Sequence, residues 1–300
     1  MTHALLYALL VLIWGSTWIM FKFQIGVVPA EVSVCYRFVI AAALMFGWAL
    51  LRGLPLRFGP RDHLFLALQG ATIFSTNFYL VYLAAAYLTT GLVAVVFSTA
   101  SAMTMIVSML VLRRLPALRG LLGAALGSLG IAVIFWPELA DFSLDAGTGL
   151  GLLLSLGGTA SFSLGGLVSA RNHAAGLSVR GTTAWAMTYG AAIMAVLALA
   201  SGKTFTFDPA FPYVGSLLYL AIPGSVIAFA CYFALLARIG AERAAYATVL
   251  FPIVALTIST VFEDYHWTVT AFVGVALTLA GNVLVLRQPK PMRIAPGASA

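Results

Sequence analysis

The sequence is a succession of long apolar runs, each close to the length that an α-helix needs to cross a lipid bilayer. Short stretches that contain Pro, Gly and charged residues separate these runs. Hydrophobic residues make up 62% of the chain and charged residues 8%, against roughly 45–50% and about 25% in soluble proteins. Such a chain has too little polar surface to face water, so we predict an all-α integral membrane protein.

We predict ten transmembrane helices, over 3–22, 29–52, 63–83, 88–112, 117–137, 148–169, 181–201, 212–237, 243–262 and 267–287. Because only residues 87–91 divide the third run from the fourth, nine or eleven spans remain alternatives. At about 20 residues a span, the helices use roughly 200 residues and leave no room for a soluble catalytic, nucleotide-binding or sensory domain. The tail, residues 289–300, is predicted to be a disordered cytoplasmic segment.

Basic residues predict the orientation of the spans, because cytoplasmic loops are enriched in Lys and Arg. With an even number of spans and both termini in the cytoplasm, that side receives most of the 16 basic residues, namely Arg52, Arg57, Arg61, Arg113, Arg114, Arg119, Arg171, Arg180, Arg238, Arg243, Arg287, Lys290 and Arg293. The net charge of +7 does not predict a nucleic-acid partner. These basic residues are spread in ones, twos and threes instead of forming one basic face.

The two halves of the chain resemble each other at a constant shift of 151 residues. Gly130 corresponds in this way to Gly281, and further matches extend across the same two helices. Since five spans is an odd number, the second half must enter the membrane from the opposite side. We therefore predict two inverted five-helix repeats, residues 1–140 and 141–288, which is the usual construction of secondary transporters.

No pattern in the sequence predicts an enzyme or a bound cofactor. The segment 202–204 (Gly-Lys-Thr) resembles the end of a phosphate-binding loop, but the earlier Gly that such a loop requires is Leu197. Cys35 and Cys231 lie in apolar runs without metal-ligand or redox spacing. We therefore expect no catalytic residues, no cofactor and no metal site.

The charges inside the predicted spans limit the coupling ion and the substrate. Asp and Glu are absent from the middle of every span, and this weakens a proton antiport based on a buried carboxylate. Coupling through Glu31 or through a histidine at a membrane boundary stays open. Only Arg37 is a cation within a span, whereas a phosphate-bearing substrate such as a nucleotide sugar would want two or more cations.

Aromatic and small hydroxyl residues recur within the spans and form the candidate substrate site. The candidate substrate-binding residues are Trp14, Trp18, Tyr79, Tyr82, Ser98, Ser101, Ser163 and Tyr246. Together they predict a weakly polar, uncharged cavity for amphipathic or zwitterionic small molecules. On α-helical spacing Asn77 points away from the face that Tyr79 and Tyr82 share. The alternative is that the small residues pack helices and the aromatic residues fill space or lie at the membrane interface.

Four further residues are candidates for gating. Lys22 and Glu31 flank a short predicted outer loop, and Arg37 lies several residues into the second span. These charges predict either an interfacial ion cluster or a charged gate at the outer mouth. Pro252, the counterpart of Ser101 at the shift of 151, removes a backbone hydrogen bond from its helix. It is either a hinge for a rocking motion or a residue that shapes the helix.

The segment 14–18 (Trp-Gly-Ser-Thr-Trp), followed by Lys22, resembles the first-helix signature of the EamA-type drug/metabolite transporter superfamily. The paired five-helix halves match as well, so the resemblance covers residues 3–287. Four residues in later spans also match, namely Arg37, Asn77, Pro252 and Glu263. Two positions depart from the family pattern, since Ser101 replaces a frequent proline and segment 112–114 (Leu-Arg-Arg) lacks its usual glutamate.

The resemblance implies a ten-helix carrier that works by alternating access around a central cavity. It also implies metabolite export across a bacterial inner membrane, and the chain is most similar to the aromatic and broad-specificity amino-acid exporters. We hypothesise a multi-pass, monomeric exporter of amino acids that works by facilitated diffusion, with the small-molecule substrate and the lipid bilayer as its partners. The alternatives are a proton-coupled exporter of other metabolites or drugs, or a nucleotide-sugar transporter. A channel or a lipid scramblase fits the sequence less well.

Overall fold

The computed structural model describes residues 3–112, 118–136, 146–232, 235 and 247–286, and over these residues it contains helices and no β-strand. The α-helices are α1 (His3–Lys22), α2 (Ala30–Leu51), α3 (Pro60–Gln69), α4 (Phe78–Ala84), α5 (Thr90–Ser98), α6 (Ala100–Leu112), α7 (Leu118–Ile134), α8 (Ala146–Ala174), α9 (Val179–Ala200), α10 (Phe211–Ala221), α11 (Ala247–Phe262) and α12 (Val269–Leu286). Two π-helical segments, π1 (Gly70–Asn77) and π2 (Ile222–Ile227), follow α3 and α10 without a break in the helical path.

The helices have the length and composition of membrane spans. Within the described residues, six continuous helical stretches are long and apolar enough to cross a bilayer, and a seventh results when α5 and α6 are taken as one broken span. Three shorter apolar helices cover residues 118–134, 250–262 and 269–284. The predicted helical multi-pass membrane protein is confirmed, whereas the count of ten spans and the cytoplasmic position of both termini stay predictions. The predicted disordered tail lies outside the described residues.

Most predicted helix boundaries agree with the structure to within a few residues, but the fourth span is wrong as a single helix. It breaks at Thr99, where α5 ends and the axis turns by 49°. In contrast, α11 continues through Pro252 as one α-helix. The sharp bend therefore lies two residues from Ser101, the counterpart of the proline, and not at the proline itself.

Helices α7 and α12 approach each other closely because glycines line their contact. A Cβ atom on Gly130 would lie 2.6 Å from the carbonyl oxygen of Gly274, and a Cβ atom on Gly281 would lie 2.6 Å from that of Gly123. Neither position has room for a side chain. The hydrophobic effect does not draw helices together inside a bilayer, so close backbone approach supplies the packing energy instead.

Replacing Gly130 by Ala is expected to destabilise the protein, because the added methyl group overlaps the backbone of α12. Overpacking of this kind costs about 1–3 kcal/mol. The thermal unfolding temperature of the detergent-solubilised variant should fall accordingly. Gly47→Ala is the matched control, since its added Cβ meets no atom within 4 Å. Equal unfolding temperatures for the two variants would contradict the tight contact.

Candidate functional site

A cavity of about 490 Å³ lies between helices drawn from both halves of the chain. Its volume is within the range of about 300–1,000 Å³ that small-molecule sites occupy. The lining consists of Trp14, Thr17, Trp18, Phe21, Arg37, Ile73, Asn77, Phe78, Val81, Phe97, Ala100, Thr104, Phe162, Gly224, Phe229, Tyr232 and Phe251. Among these described residues aromatic rings predominate, and Arg37 alone carries a charge. The cavity is therefore suited to a compact, largely apolar ligand.

Two indole rings of α1 form one wall of the cavity. Trp18 stacks on Phe251 of α11, with ring centroids 5.7 Å apart and ring planes inclined by 17°. Trp14 contacts Phe229 edge to face at 6.0 Å and Tyr232 at 5.6 Å. These ring contacts fix the orientation of the indoles, whose remaining surface faces the cavity.

Arg37 of α2 brings a buried positive charge to the cavity, with only 2% of its surface exposed. Its guanidinium carbon lies 4.2 Å from the ring centroid of Phe78, 5.1 Å from that of Phe38 and 5.7 Å from that of Phe21. Aromatic faces attract a cation and offset part of the cost of removing it from water. The Nη2 atom donates a hydrogen bond of 3.3 Å to Ser225 Oγ, while Nε and Nη1 have no hydrogen-bond partner among the described residues.

The two π-helical segments supply the polar groups around Arg37. Asn77, the last residue of π1, donates from Nδ2 to the carbonyl oxygen of Ile73 at 3.2 Å, and its Oδ1 atom has no partner in the described part of the chain. Ser225 of π2 donates to the carbonyl oxygen of Leu220, five residues earlier, and accepts the bond from Arg37. Local π-helical winding is frequent at functional sites, where it redirects side chains.

Of the predicted substrate-binding residues, Trp14 and Trp18 line the cavity, whereas two serines do not. Ser98 donates to the carbonyl oxygen of Val95 at 2.7 Å and accepts a 3.2 Å bond from Asn282 Nδ2. Ser163 donates to the carbonyl oxygen of Ala100 at 3.2 Å. These hydroxyls are bound to backbone carbonyl oxygens and are not among the cavity-lining residues, so their role as substrate contacts stays a prediction. Tyr246 and the side chain of Ser101 lie outside the described residues.

Tyr79 and Tyr82 are also absent from the cavity lining. The Tyr79 hydroxyl donates to Glu31 Oε1 at 3.0 Å. Tyr82 is 2% exposed and packs edge to face on Phe21, with ring centroids 5.0 Å apart. Its hydroxyl lies beside the Arg37 guanidinium without meeting hydrogen-bond geometry. Both tyrosines therefore contact residues near the cavity, and their role as substrate contacts stays a prediction.

The predicted ion cluster of Lys22, Glu31 and Arg37 does not form. Lys22 Nζ donates to the carbonyl oxygen of Phe262 at 3.0 Å, and Glu31 is bound by Tyr79. Arg37 faces the cavity, so the predicted uncharged cavity is wrong as well. Within the described ranges the one ion pair joins Arg171 to Asp62 at 3.3 Å, far along the chain from these three residues.

Asn77 points away from the face of Tyr79 and Tyr82, as its α-helical spacing to them predicts, and it is Asn77 that lines the cavity. The sequence prediction took the tyrosine face as the one that meets the substrate and did not include Asn77. A polar amide in an apolar run is by itself a signal of function in a membrane span, and that signal identifies Asn77.

A second polar cluster joins α5 to α11. Glu263 Oε2 accepts hydrogen bonds from Thr90 N at 2.9 Å, Thr90 Oγ1 at 2.7 Å and Ser259 Oγ at 2.5 Å. Ser259 Oγ in turn accepts a bond of 2.8 Å from Gly91 N. The carboxylate thus binds the free Thr90 N–H at the start of α5, where negative charge is favoured.

The fold defines a multi-pass helical membrane protein with an internal cavity lined by residues from both halves of the chain. The sequence profile of the EamA-like transporter family matches residues 1–136 and again residues 149–287. The chain therefore belongs to the EamA-like transporter family, within the drug/metabolite transporter superfamily, and is a transporter of that type.

Two curated bacterial proteins are similar over nearly the whole chain. Protein PagO of Salmonella typhimurium strain LT2 is 24% identical over 290 residues, which cover 94% of this chain and 89% of that protein. The uncharacterized transporter YvbV of Bacillus subtilis strain 168 is 26% identical over 297 residues, covering 97% and 94%. A solved crystal structure of a protein, 15% identical, superimposes with a TM-score of 0.67 over 94% of this chain and 95% of the other. This likeness supports the fold alone.

Removing the Glu263 carboxylate is expected to destabilise the contact between α5 and α11. Glu263→Ala deletes the acceptor of three hydrogen bonds, at a net cost of about 2 kcal/mol. Glu263→Gln retains one acceptor oxygen and should fall between Ala and the unchanged protein. Thermal unfolding in detergent measures the order of stability of the three proteins. An unfolding temperature for Glu263→Ala equal to that of the unchanged protein would show that Glu263 does not stabilise the contact between α5 and α11.

Proposed function

We propose that this transporter exports amino acids, including aromatic ones, across the bacterial inner membrane by alternating access. The observation that carries the proposal is the 490 Å³ cavity, which combines aromatic walls with a single buried cation. A free amino acid has a side chain that can lie against rings and a carboxylate that carries one negative charge. Bacterial relatives, one of them described as a transporter, support the location and the activity.

The composition of the cavity favours a broad range of side chains. Ring contacts and a few hydroxyl groups discriminate weakly between apolar side chains, because one methylene group in an apolar pocket changes affinity only modestly. Aromatic side chains gain most, since Trp14, Trp18 and Phe97 offer ring surface to the cavity. A nucleotide sugar would place two phosphates beside one cation, so this alternative is disfavoured.

Repeated structural details support an alternating mechanism in which residues 1–140 and 141–288 exchange roles. A shift of 151 residues carries π1 onto residues 221–228, which contain all of π2 (Ile222–Ile227). Equivalent π-helical segments in two halves of opposite orientation would allow the same local rearrangement to open either side. Rocking of inverted repeats around a fixed site is the general mode of such carriers.

The glycine contacts of α7 and α12 are related in the same way. The contact of Gly123 with Gly281 becomes the contact of Gly274 with Gly130 when each residue is exchanged for its counterpart at the shift of 151. This exchange of partners is what a two-fold axis between the halves produces. It supports the inverted repeat as the symmetric core of the proposed carrier.

We propose that transport is facilitated diffusion, driven by the substrate gradient without a coupling ion. The described cavity lining contains Arg37 and no Asp or Glu, and arginine stays protonated in proteins. No carboxylate is thus placed to carry a proton together with the substrate through the cavity. Proton coupling through buried Glu31, which is 6% exposed, is the competing mode.

An imposed pH gradient is expected to leave amino-acid accumulation in proteoliposomes unchanged. Labelled phenylalanine should equilibrate across the membrane and not exceed the external concentration. Accumulation above equilibrium that collapses with a protonophore would establish proton coupling instead. Glu31→Gln would then identify the carboxylate, since it should abolish accumulation while counterflow persists.

Counterflow of a labelled amino-acid panel tests the substrate class, with phenylalanine, tyrosine and leucine as the first members. Trp18→Phe is expected to raise the apparent KM for aromatic amino acids several-fold, because it removes part of the ring surface facing the cavity. Trp136→Phe is the matched control, since Trp136 is 59% exposed and does not line the cavity. Absence of counterflow with every amino acid, alongside counterflow of a sugar phosphate, would overturn the proposal.

A further inference from the structure

We propose that Arg37 binds the carboxylate of the transported amino acid and that Asn77 accepts a hydrogen bond from its ammonium group. The two residues then form the polar end of the cavity, and the aromatic walls receive the side chain. This assignment rests on the proposed function, because it specifies how an amino acid would lie in the same cavity.

The guanidinium of Arg37 has hydrogen-bond donors that no described group satisfies, and the neighbouring Tyr82 hydroxyl does not meet hydrogen-bond geometry with it. Its one hydrogen bond leaves from Nη2 to Ser225 Oγ, and Nε and Nη1 have no partner among the described residues. The nearby phenyl rings attract the charge through their faces, but they offer no acceptor in the plane of the N–H groups. A carboxylate oxygen in that plane supplies the missing acceptor and a compensating charge.

The charge balance of the cavity selects a singly charged anionic group. Arg37 is the one charged side chain among the described lining residues, and no described acid pairs with it. The carboxylate of an amino acid neutralises Arg37, and the ammonium group is then the one charge that remains, for which Asn77 Oδ1 is an acceptor. A phosphate carries nearly two negative charges and would leave an excess in a desolvated site.

Asn77 provides an acceptor in the lining of the same cavity as Arg37. It directly precedes Phe78, whose ring centroid lies 4.2 Å from the Arg37 guanidinium carbon. Its Nδ2 atom is committed to the carbonyl oxygen of Ile73, a bond that only the nitrogen can donate. The amide oxygen is therefore the end left without a partner, although the side chain is 1% exposed and lines the cavity. An ammonium group has three donors and fits this acceptor.

The Arg37–Asn77 pair also separates zwitterions from simpler molecules. An amine without a carboxylate would bring a second positive charge towards Arg37, and a carboxylate without an amine would leave Asn77 Oδ1 unpaired. Both losses lower affinity, the first by charge repulsion and the second by an unsatisfied buried acceptor. Aromatic amino acids themselves satisfy both groups.

Competition in counterflow tests this assignment on the unaltered protein in proteoliposomes. The competitors of labelled phenylalanine are unlabelled phenylalanine, its amide, which lacks the carboxylate charge, and 3-phenylpropionate, which lacks the amine. We expect the amide to compete roughly tenfold or more weakly than phenylalanine, and 3-phenylpropionate to be weaker by a smaller factor. Equal competition by phenylalanine and its amide would overturn the role of Arg37.

Matched variants show which residue is responsible for each difference in competition. Arg37→Gln should abolish the preference for phenylalanine over its amide, and Asn77→Leu should abolish the preference over 3-phenylpropionate. Arg180→Gln is the control, because Arg180 also lies over an aromatic ring, at 5.1 Å from that of Trp48, but does not line the cavity. Retained selectivity in Arg37→Gln contradicts the assignment. If Arg37→Gln does not fold, Arg37→Lys and the competition series on the unaltered protein still test whether Arg37 binds the carboxylate.

The outcomes separate this inference from the proposed function. If the unaltered protein exchanges no amino acid, the proposed function fails and with it the amino-acid pose. If amino acids are exchanged but the carboxylate has no influence on affinity, the proposed function stands and the Arg37 assignment fails. Exchange of amino acids with selectivity lost in Arg37→Gln and kept in Arg180→Gln supports both.

Discussion

Hydrocarbon around the helices offers no hydrogen-bond partner, so every polar group of a span must be paired within the protein. Most hydroxyls meet this constraint on their own helix. Thr72, Thr159 and Thr257, for example, donate to carbonyl oxygens four residues earlier. Buried amides such as that of Asn172, which donates to Gln69 Oε1, meet it between helices. Several buried polar atoms among the described residues still lack a partner, and Arg37 is the one charged side chain among them.

Tight packing and the cavity depend on the same small residues. Gly70 lies against the backbone of α9, where a Cβ atom would lie 2.5 Å from the carbonyl oxygen of Ala186, and Gly224 lies against Thr17 of α1. These glycines belong to π1 and π2, so close approach of neighbouring helices occurs in the π-helical segments as well as between α7 and α12. Gly70 meets the backbone of α9 and Gly224 meets the small Thr17 side chain, so neither contact leaves room for a larger residue.

The helices could be predicted from the sequence because bilayer thickness fixes their length and composition. For α1 the predicted first and last residues both agree with the structure. Trp14 and Trp18 could be placed together because they are one turn apart on one face. Helix winding was not predictable, since Gly70–Asn77 contains ordinary residues and its π-helical form reflects contacts with α8 and α9. Asn77 was placed correctly on a face apart from Tyr79 and Tyr82, but the sequence did not show that its face is the one that lines the cavity. Arg37 was recognised as the cation within a span, but its aromatic surroundings come from residues far along the chain.

The break in the fourth span at Thr99 is not repeated at the corresponding position of the second half, which lies within the described helix α11. α5 and α6 meet at 49°, whereas Pro252 lies within continuous α11. A carrier with identical halves would have two end states of equal energy, one open to each side. Unequal halves remove this degeneracy, so an alternating carrier of this construction rests preferentially on one side of the membrane. The rate constants for substrate binding and release then differ between the two sides of the membrane, even when the substrate concentration is the same on both sides.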